Sequence, residues 1–293
     1  MKRLAGRSSP AREARTQSKI NALLDELGAL LITPALSHVA AAARLIVIPY
    51  GSLHGLPFHA LRHKGEFLVE HFDVSLASSL VALAKARSPR LVPPLQCTLV
   101  AARDDKLPAI DEEARALKAI YGEALRELDA PTLGPALTRG DVTGSLLHIA
   151  AHGAFQPHNP MFSGLSFGSC VLTAHDISSL ALNLEVVTLG GCETGRSGRI
   201  EGEALLGIDQ AFLGAGARAV LSSLWVVDDQ VAGELMARTH GELAKGRTIG
   251  AALATAQRAA LKRDPHPFQW APFTLSGDPD ARILNSGPTH LDQ

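Results

Sequence analysis

Short apolar runs bounded by turn residues recur along the chain, separated by longer stretches whose apolar residues fall at helical spacing. Residues 45–48, 98–102, 146–151, 186–189, 219–226 and 272–275 are predicted strands. Most are continuously apolar, as strands buried on both faces of a parallel sheet are. Between them, 110–121, 202–213, 228–243 and 248–261 carry the helical period, and Leu205, Ile208 and Phe212 make one clear stripe. This alternation predicts an α/β protein with a mostly parallel sheet and helices on both faces. Residues 20–43 read as one or two further helices interrupted at Pro34. The longest loops are expected at 154–168 and 195–201, beyond the carboxyl ends of strands, where open α/β sheets hold their sites.

Composition sharpens the picture mainly by exclusion. With 293 residues and 46% apolar content the chain can bury a substantial core. The formal net charge is -1, and beyond the N-terminus the two signs are interspersed, so neither a nucleic acid nor a membrane is an expected partner. Lys2, Arg3, Arg7, Arg12, Arg15 and Lys19 face only Glu13 in the first nineteen residues. No aromatic residue interleaves this charge and no apolar stretch follows it, so it reads as a solvated arm rather than a signal peptide or nucleic-acid contact. The longest apolar region, 28–50, is broken by Pro34, Ser37, His38, Arg44 and Pro49, and no segment could span a bilayer. Three cysteines, Cys97, Cys170 and Cys192, argue against a disulfide framework and for a reducing, cytoplasmic setting.

Two of the predicted strands end in reactive side chains. The first, LLHIAAHGAF at 146–155, closes on His152-Gly153, and the second, VVTLGGCETG at 186–195, closes on Cys192. A cysteine peptidase needs a thiolate to attack the scissile carbonyl, an imidazolium to protonate the departing amine, and backbone N–H groups for the oxyanion. Gly153, Gly190 and Gly191 let main chain approach a substrate. Each residue alone has an ordinary structural reading, Cys192 as core filling and His152 as a strand-end histidine. Together, 40 positions apart and each closing a buried strand, they are far more specific. Neighbouring parallel strands would bring them side by side.

At this point the chain resembles the CHAT domain, a caspase-like, separase-related module of the clan CD cysteine peptidases that often follows helical TPR repeats in bacteria. The resemblance rests on LIVIPYGSLHGLPFHAL at 45–61, LVEHFDVSLASSL at 68–80, HIAAHG at 148–153, SGLSFG at 163–168, LTAHDISSLALNLEVVTLGGCETG at 172–195, GEALLGIDQAFLGAGARAVLSSLWVVDD at 202–229 and HPFQWAPFTLSGDP at 266–279. It implies a caspase-hemoglobinase fold, a three-layer αβα sandwich around a mostly parallel sheet, over 44–281. A basic arm and helical lead-in at 1–43 would precede it and a tail at 282–293 would follow. It further implies a metal-independent thiol endopeptidase without a cofactor. His152 and Cys192 would form the dyad, and the backbone amides of Gly153 and Cys192 the oxyanion hole. No third catalytic side chain is evident near the two blocks. The expected partners are a protein or peptide substrate and an activating protein or TPR-type sensor.

In this fold the S1 pocket is lined by the cysteine-bearing strand and the strand and loop after it, here 221–229. Glu193, Asp228 and Asp229 are the acidic candidates for a basic P1 side chain, and Trp225 a candidate wall. Asp228 reads equally as the N-cap of the helix beginning at Asp229, Glu193 as a brace for the nucleophile loop, and Trp225 as core. His59 and His63, spaced to share a helix face, lack the close ligands a zinc site needs, and His54 reads as structural. His148 shares a strand face with His152 by period two and is expected to pack behind the site. A His148, His152 and Cys192 metal site lacks a visible carboxylate around it. Two other readings remain open: a catalytically silent caspase-like binding scaffold, which an intact His and Cys disfavour, and a small-molecule hydrolase, which needs a closed pocket.

Overall fold

The fold is seen in a computed structural model that describes residues 10–39, 42–91, 93–102, 108–154, 156, 159–167, 170–190, 202–225 and 227–283. Helices α1 (Pro10–Leu31) and α2 (Thr33–Val39) come first. Pro34 sits in the first turn of α2, where a missing backbone N–H breaks no helical bond, so the proline starts the second helix as much as it ends the first. There follow β1 (Arg44–Val47), the two-residue ribbon β2 (Arg62–His63) and β3 (Glu66–Phe67), α3 (Leu68–His71), β4 (Asp73–Leu76) and α4 (Leu80–Ala86). The middle of the chain runs β5 (Cys97–Ala101), α5 (Pro108–Tyr121), β6 (Leu125–Asp129), α6 (Leu133–Arg139), β7 (Leu146–Ala150), β8 (His152–Ala154), β9 (Gly164–Phe167), β10 (Cys170–Thr173) and α7 (Ala174–Ser178). The last third is β11 (Leu184–Gly190), α8 (Gly202–Ala215), β12 (Ala217–Ser223), α9 (Asp229–Ala244), α10 (Ile249–Arg263), α11 (Pro267–Trp270) and β13 (Phe273–Gly277).

Eight strands form the central sheet in the order β1-β4-β13-β12-β11-β7-β5-β6. Every neighbouring pair is parallel except β12 and β13. Side chains alternate between two apolar layers, as a pleated strand requires. Leu146, Val186 and Leu221 pack under α5, α9 and α10, whereas Leu147, Val187 and Val220 pack under α6, α7 and α8. The structure is thus a three-layer αβα sandwich, and a third cluster joins α1, α3 and the residues around Trp270 to the β4 side.

Each of the six predicted strands is present within a few residues of its expected limits, and so are the four predicted helices. The stripe on α8 is borne out where its side chains are described, since Ile208 and Phe212 are fully buried. Two expectations are corrected. The loop expected at 154–168 contains β9, which pairs with β8 and β10 in a separate antiparallel sheet. His59 and His63 do not share a helix face, because His59 lies in a short 3-10 turn and His63 in β2. Pro57 and the 3-10 turns keep this stretch from winding into an α-helix.

Candidate active site

Strands β7 and β11 are adjacent and parallel, with Ile149 opposite Leu189 and Ala150 opposite Gly190. Ladder bonds continue to the end: the Ala102 N–H donates to the Ala150 carbonyl at 2.8 Å, and the Ala151 N–H donates to the Gly190 carbonyl at 3.3 Å. His152 lies just past the end of β7. There the chain leaves the main sheet, so His152 opens β8 and pairs with Ser166 of β9, Gly153 pairing with Leu165. This corrects the expectation that His152 continues the strand face of His148. His152 and Gly153 are half-buried. Gly191, Cys192 and Glu193, hence the expected nucleophile, one oxyanion donor and one S1 candidate, lie outside the described residues.

A carboxylate packs over the glycine that ends β11. A Cβ built on Gly190 would lie 2.5 and 2.9 Å from the two carboxylate oxygens of Glu113, so any larger residue there would have to displace that side chain. Glu113 is buried on α5, and its Oε1 lies 3.4 Å from Nε2 of the fully buried His148. The sequence reading found no carboxylate near His148. The structure supplies one from a helix 35 positions upstream, since residues 113 and 148 differ by 35.

His148 leads into a larger buried group. Its Nδ1 is 2.8 Å from Thr188 Oγ1 and 3.2 Å from His240 Nε2, and His240 Nδ1 is 2.9 Å from the Tyr121 hydroxyl. Burial holds the His240 pKa well below its ordinary value, and neighbouring His148 adds to this. Burial likewise raises the pKa of Tyr121, keeping its hydroxyl protonated. No local pattern marks Tyr121, Glu113 or His240, and only the fold brings them together.

The remaining candidates lie around the end of β12. Asp228 caps α9, its Oδ1 accepting the Gln230 N–H at 3.0 Å, so the capping reading is realised. Asp229 is the first residue of α9. Trp225 is half-buried, packs at a tilt on Phe268 with ring centroids 5.5 Å apart, and borders the cluster around Trp270. Its buried Nε1–H has no hydrogen-bond partner. Trp225 lies four residues beyond Leu221, which stands opposite Thr188 in the register.

Other titratable groups divide clearly. Cys97 is buried with its thiol pushed up to about 12, while Cys170 is exposed. His59, driven down to about 4 by burial, donates from Nε2 to the Ala271 carbonyl at 3.0 Å. His63 Nδ1 meets Thr33 Oγ1. Among the described residues no group of three His, Cys, Asp or Glu side chains could hold a metal ion. No helix among them is long and apolar enough to cross a membrane.

Residues 21–278 match the CHAT domain, a stretch that reaches back into α1. Tetratricopeptide repeat protein 28 is 33% identical in mouse over 125 residues, 42% of this chain, and 26% identical in human over 85% of it. The matched stretches are 5% and 12% of those relatives' lengths. Among solved structures, separase in the Saccharomyces cerevisiae separase-securin complex superposes on 80% of this chain and 15% of its own with a TM-score of 0.56 at 14% identity. The Arg specific cysteine proteinase gingipain R covers 72% of this chain and 55% of its own, with a TM-score of 0.50 at 11% identity. These likenesses establish a fold, the caspase-like α/β sandwich with its mostly parallel sheet. With the family match spanning most of its length, the chain belongs to the CHAT domain family.

Proposed function

We propose that this chain is a cysteine endopeptidase working through His152 and Cys192. The observation that carries the reading is the register: Ala150 and Gly190 are partners at the ends of two adjacent parallel strands, and His152 and Cys192 each follow two residues later. In the proposed reaction the Cys192 thiolate attacks the scissile carbonyl, and the amides of Gly153 and Cys192 stabilise the oxyanion. The C–N bond breaks as the His152 imidazolium protonates the departing amine. Water, deprotonated by His152, then cleaves the thioester and returns the thiol. Family membership supports this reading and so does the shared fold. A basic P1 side chain would be met by Glu193, Asp228 or Asp229, with Trp225 as a wall. The catalytic unit in this reading is 44–281, led by 1–43. The relatives' tetratricopeptide repeats suggest control by a TPR-type sensor or another activating protein.

The test is labelling with a peptidyl acyloxymethyl ketone, followed by comparison of newly formed N-termini in a proteome exposed to the chain or to Cys192→Ala. Covalent labelling at Cys192 and termini produced only by the native chain are expected. Absence of both, in the presence of a TPR-containing relative as candidate activator, would leave the binding scaffold as the function.

A further inference from the structure

The sheet face under α5 and α9 carries one continuous polar group: Tyr121, His240, Thr188, His148 and Glu113. All five are buried. Proton placement follows from the contacts. Tyr121 keeps its proton and donates to His240 Nδ1. A neutral His240 then carries its single N–H on Nε2, 3.3 Å from Thr188 Oγ1. The Thr188 hydroxyl donates to His148 Nδ1 at 2.8 Å, which leaves His148 with its N–H on Nε2, facing Glu113 Oε1 at 3.4 Å. Every donor thus points one way, and the row ends on a carboxylate.

That last contact is incomplete. Neither His148 Nε2 nor Glu113 Oε1 is aligned for a hydrogen bond, and among the described residues neither has another partner. A buried carboxylate oxygen left unpaired is costly, and such a group in a native fold calls for a reason. Its position offers one. Both oxygens lie within 3 Å of where a Cβ of Gly190 would be, at the last residue of β11 and two positions before Cys192.

We propose that Glu113 is a positioning residue for Cys192: backed by His148, Thr188, His240 and Tyr121, its carboxylate fixes the strand end at Gly190, two positions before Cys192. Glu113 acts through Gly190 and has no contact with substrate in this scheme. The proposal rests on the dyad reading and deepens it.

The test uses the full chain with Cys170→Ala, so that Cys192 is the one reactive thiol beside the buried Cys97. Alkylation of Cys192 by iodoacetamide is followed from about pH 5 to 10, and each variant is also melted. A thiol held against an imidazolium titrates below the ordinary value of about 8.5. In Glu113→Gln, which keeps the shape, the midpoint is expected to climb toward about 8.5 and the rate at pH 7 to fall about tenfold. Glu113→Asp should lie between the two. Removing a negative charge would by itself favour the thiolate and lower the midpoint, so a midpoint that falls or stays put overturns the positioning role. Should Glu113→Gln not fold, Glu113→Asp decides in the same way, an unchanged profile overturning the proposal. Gly190→Ala should mimic Glu113→Gln, and combining it with Glu113→Ala should restore part of the melting temperature it loses. His152→Ala separates the two ideas: a midpoint indifferent to it removes the dyad, whereas the Glu113 variants still report on the thiol.

Discussion

The two ends of the central sheet solve the burial of carboxylates in opposite ways. At the end where β11 and β12 begin, Glu185 is 1% exposed and accepts from Arg90 Nε at 3.1 Å and from Arg218 at 3.2 Å. Asp278, 0% exposed just past β13, accepts from Arg218 at 2.7 Å and Arg87 at 3.0 Å. Arg90 also donates to the carbonyls of Leu184 and Gly216 at 2.5 and 2.6 Å, and its pKa is lowered chiefly by burial, although Glu185 opposes this. These carboxylates face full positive charges and tie three segments together. At the other end Glu113 Oε1 lies 3.4 Å from a misaligned imidazole, that of His148, and has no hydrogen-bond partner among the described residues. The first arrangement locks the fold. The second leaves a buried oxygen unpaired among the described residues, beside the strand end that precedes Cys192.

The largest expected effect comes from breaking the locked end. Asp278→Ala would remove the buried acceptor shared by Arg218 and Arg87, leaving them Glu185 and Asp280 respectively, and the lost charge-assisted hydrogen bonds cost about 1.5–3 kcal/mol. Urea unfolding should show this loss, while the alkylation rate of Cys192 in the folded protein stays at its native value. A matching fall in that rate would mean that the two ends are not independent.

A third buried carboxyl lies between these extremes. Asp209 on α8 accepts from Ser222 at 2.8 Å and Ser276 at 3.0 Å but meets no positive charge, and burial lifts its pKa to about 7. A carboxyl whose folded pKa is raised favours the fold while protonated. Its contribution is fully present below the unfolded value of about 3.9 and is lost as pH rises through about 7. Asp209→Asn should therefore raise the melting temperature at pH 8, by an amount corresponding to at most a few kcal/mol, and flatten its decline between about pH 4 and 7. Equal melting shifts at pH 4 and pH 8 would exclude this titration.

The smallest effect separates two roles of one residue. As the cap of α9, Asp228 should cost about 1 kcal/mol when replaced by alanine. If it also forms the S1 pocket, Asp228→Ala lowers kcat/KM for peptides with Arg or Lys at P1 more than for those with neutral P1 residues. A uniform change confines it to the cap.

The sequence was most informative where neighbouring residues share one environment. A strand buried on both faces is apolar at most positions, so β5, β7, β11 and β12 stand out as runs. Pro34 located the division between α1 and α2 because proline lacks the donor that a helix interior needs. β6 escaped notice because it is an edge strand, and its LRELD sequence carries charge that guards an open edge. β8, β9 and β10 were missed because three- and four-residue strands hold too few alternations to declare a period.

His152 and Cys192 stand out as candidates for a related reason: each follows a run that marks its own strand, and glycines signal a close backbone approach. The adjacency of β7 and β11, the departure of His152 into a second sheet and the whole row from Tyr121 to Glu113 belong to the tertiary structure. Tyr121 and His240 are 119 positions apart, and His148 and His240 are 92 apart. Local patterns record which residues avoid water. Pairing between distant polar groups is fixed only once the helices are laid on the sheet, because the hydrogen bonds that make their burial tolerable do not exist until then.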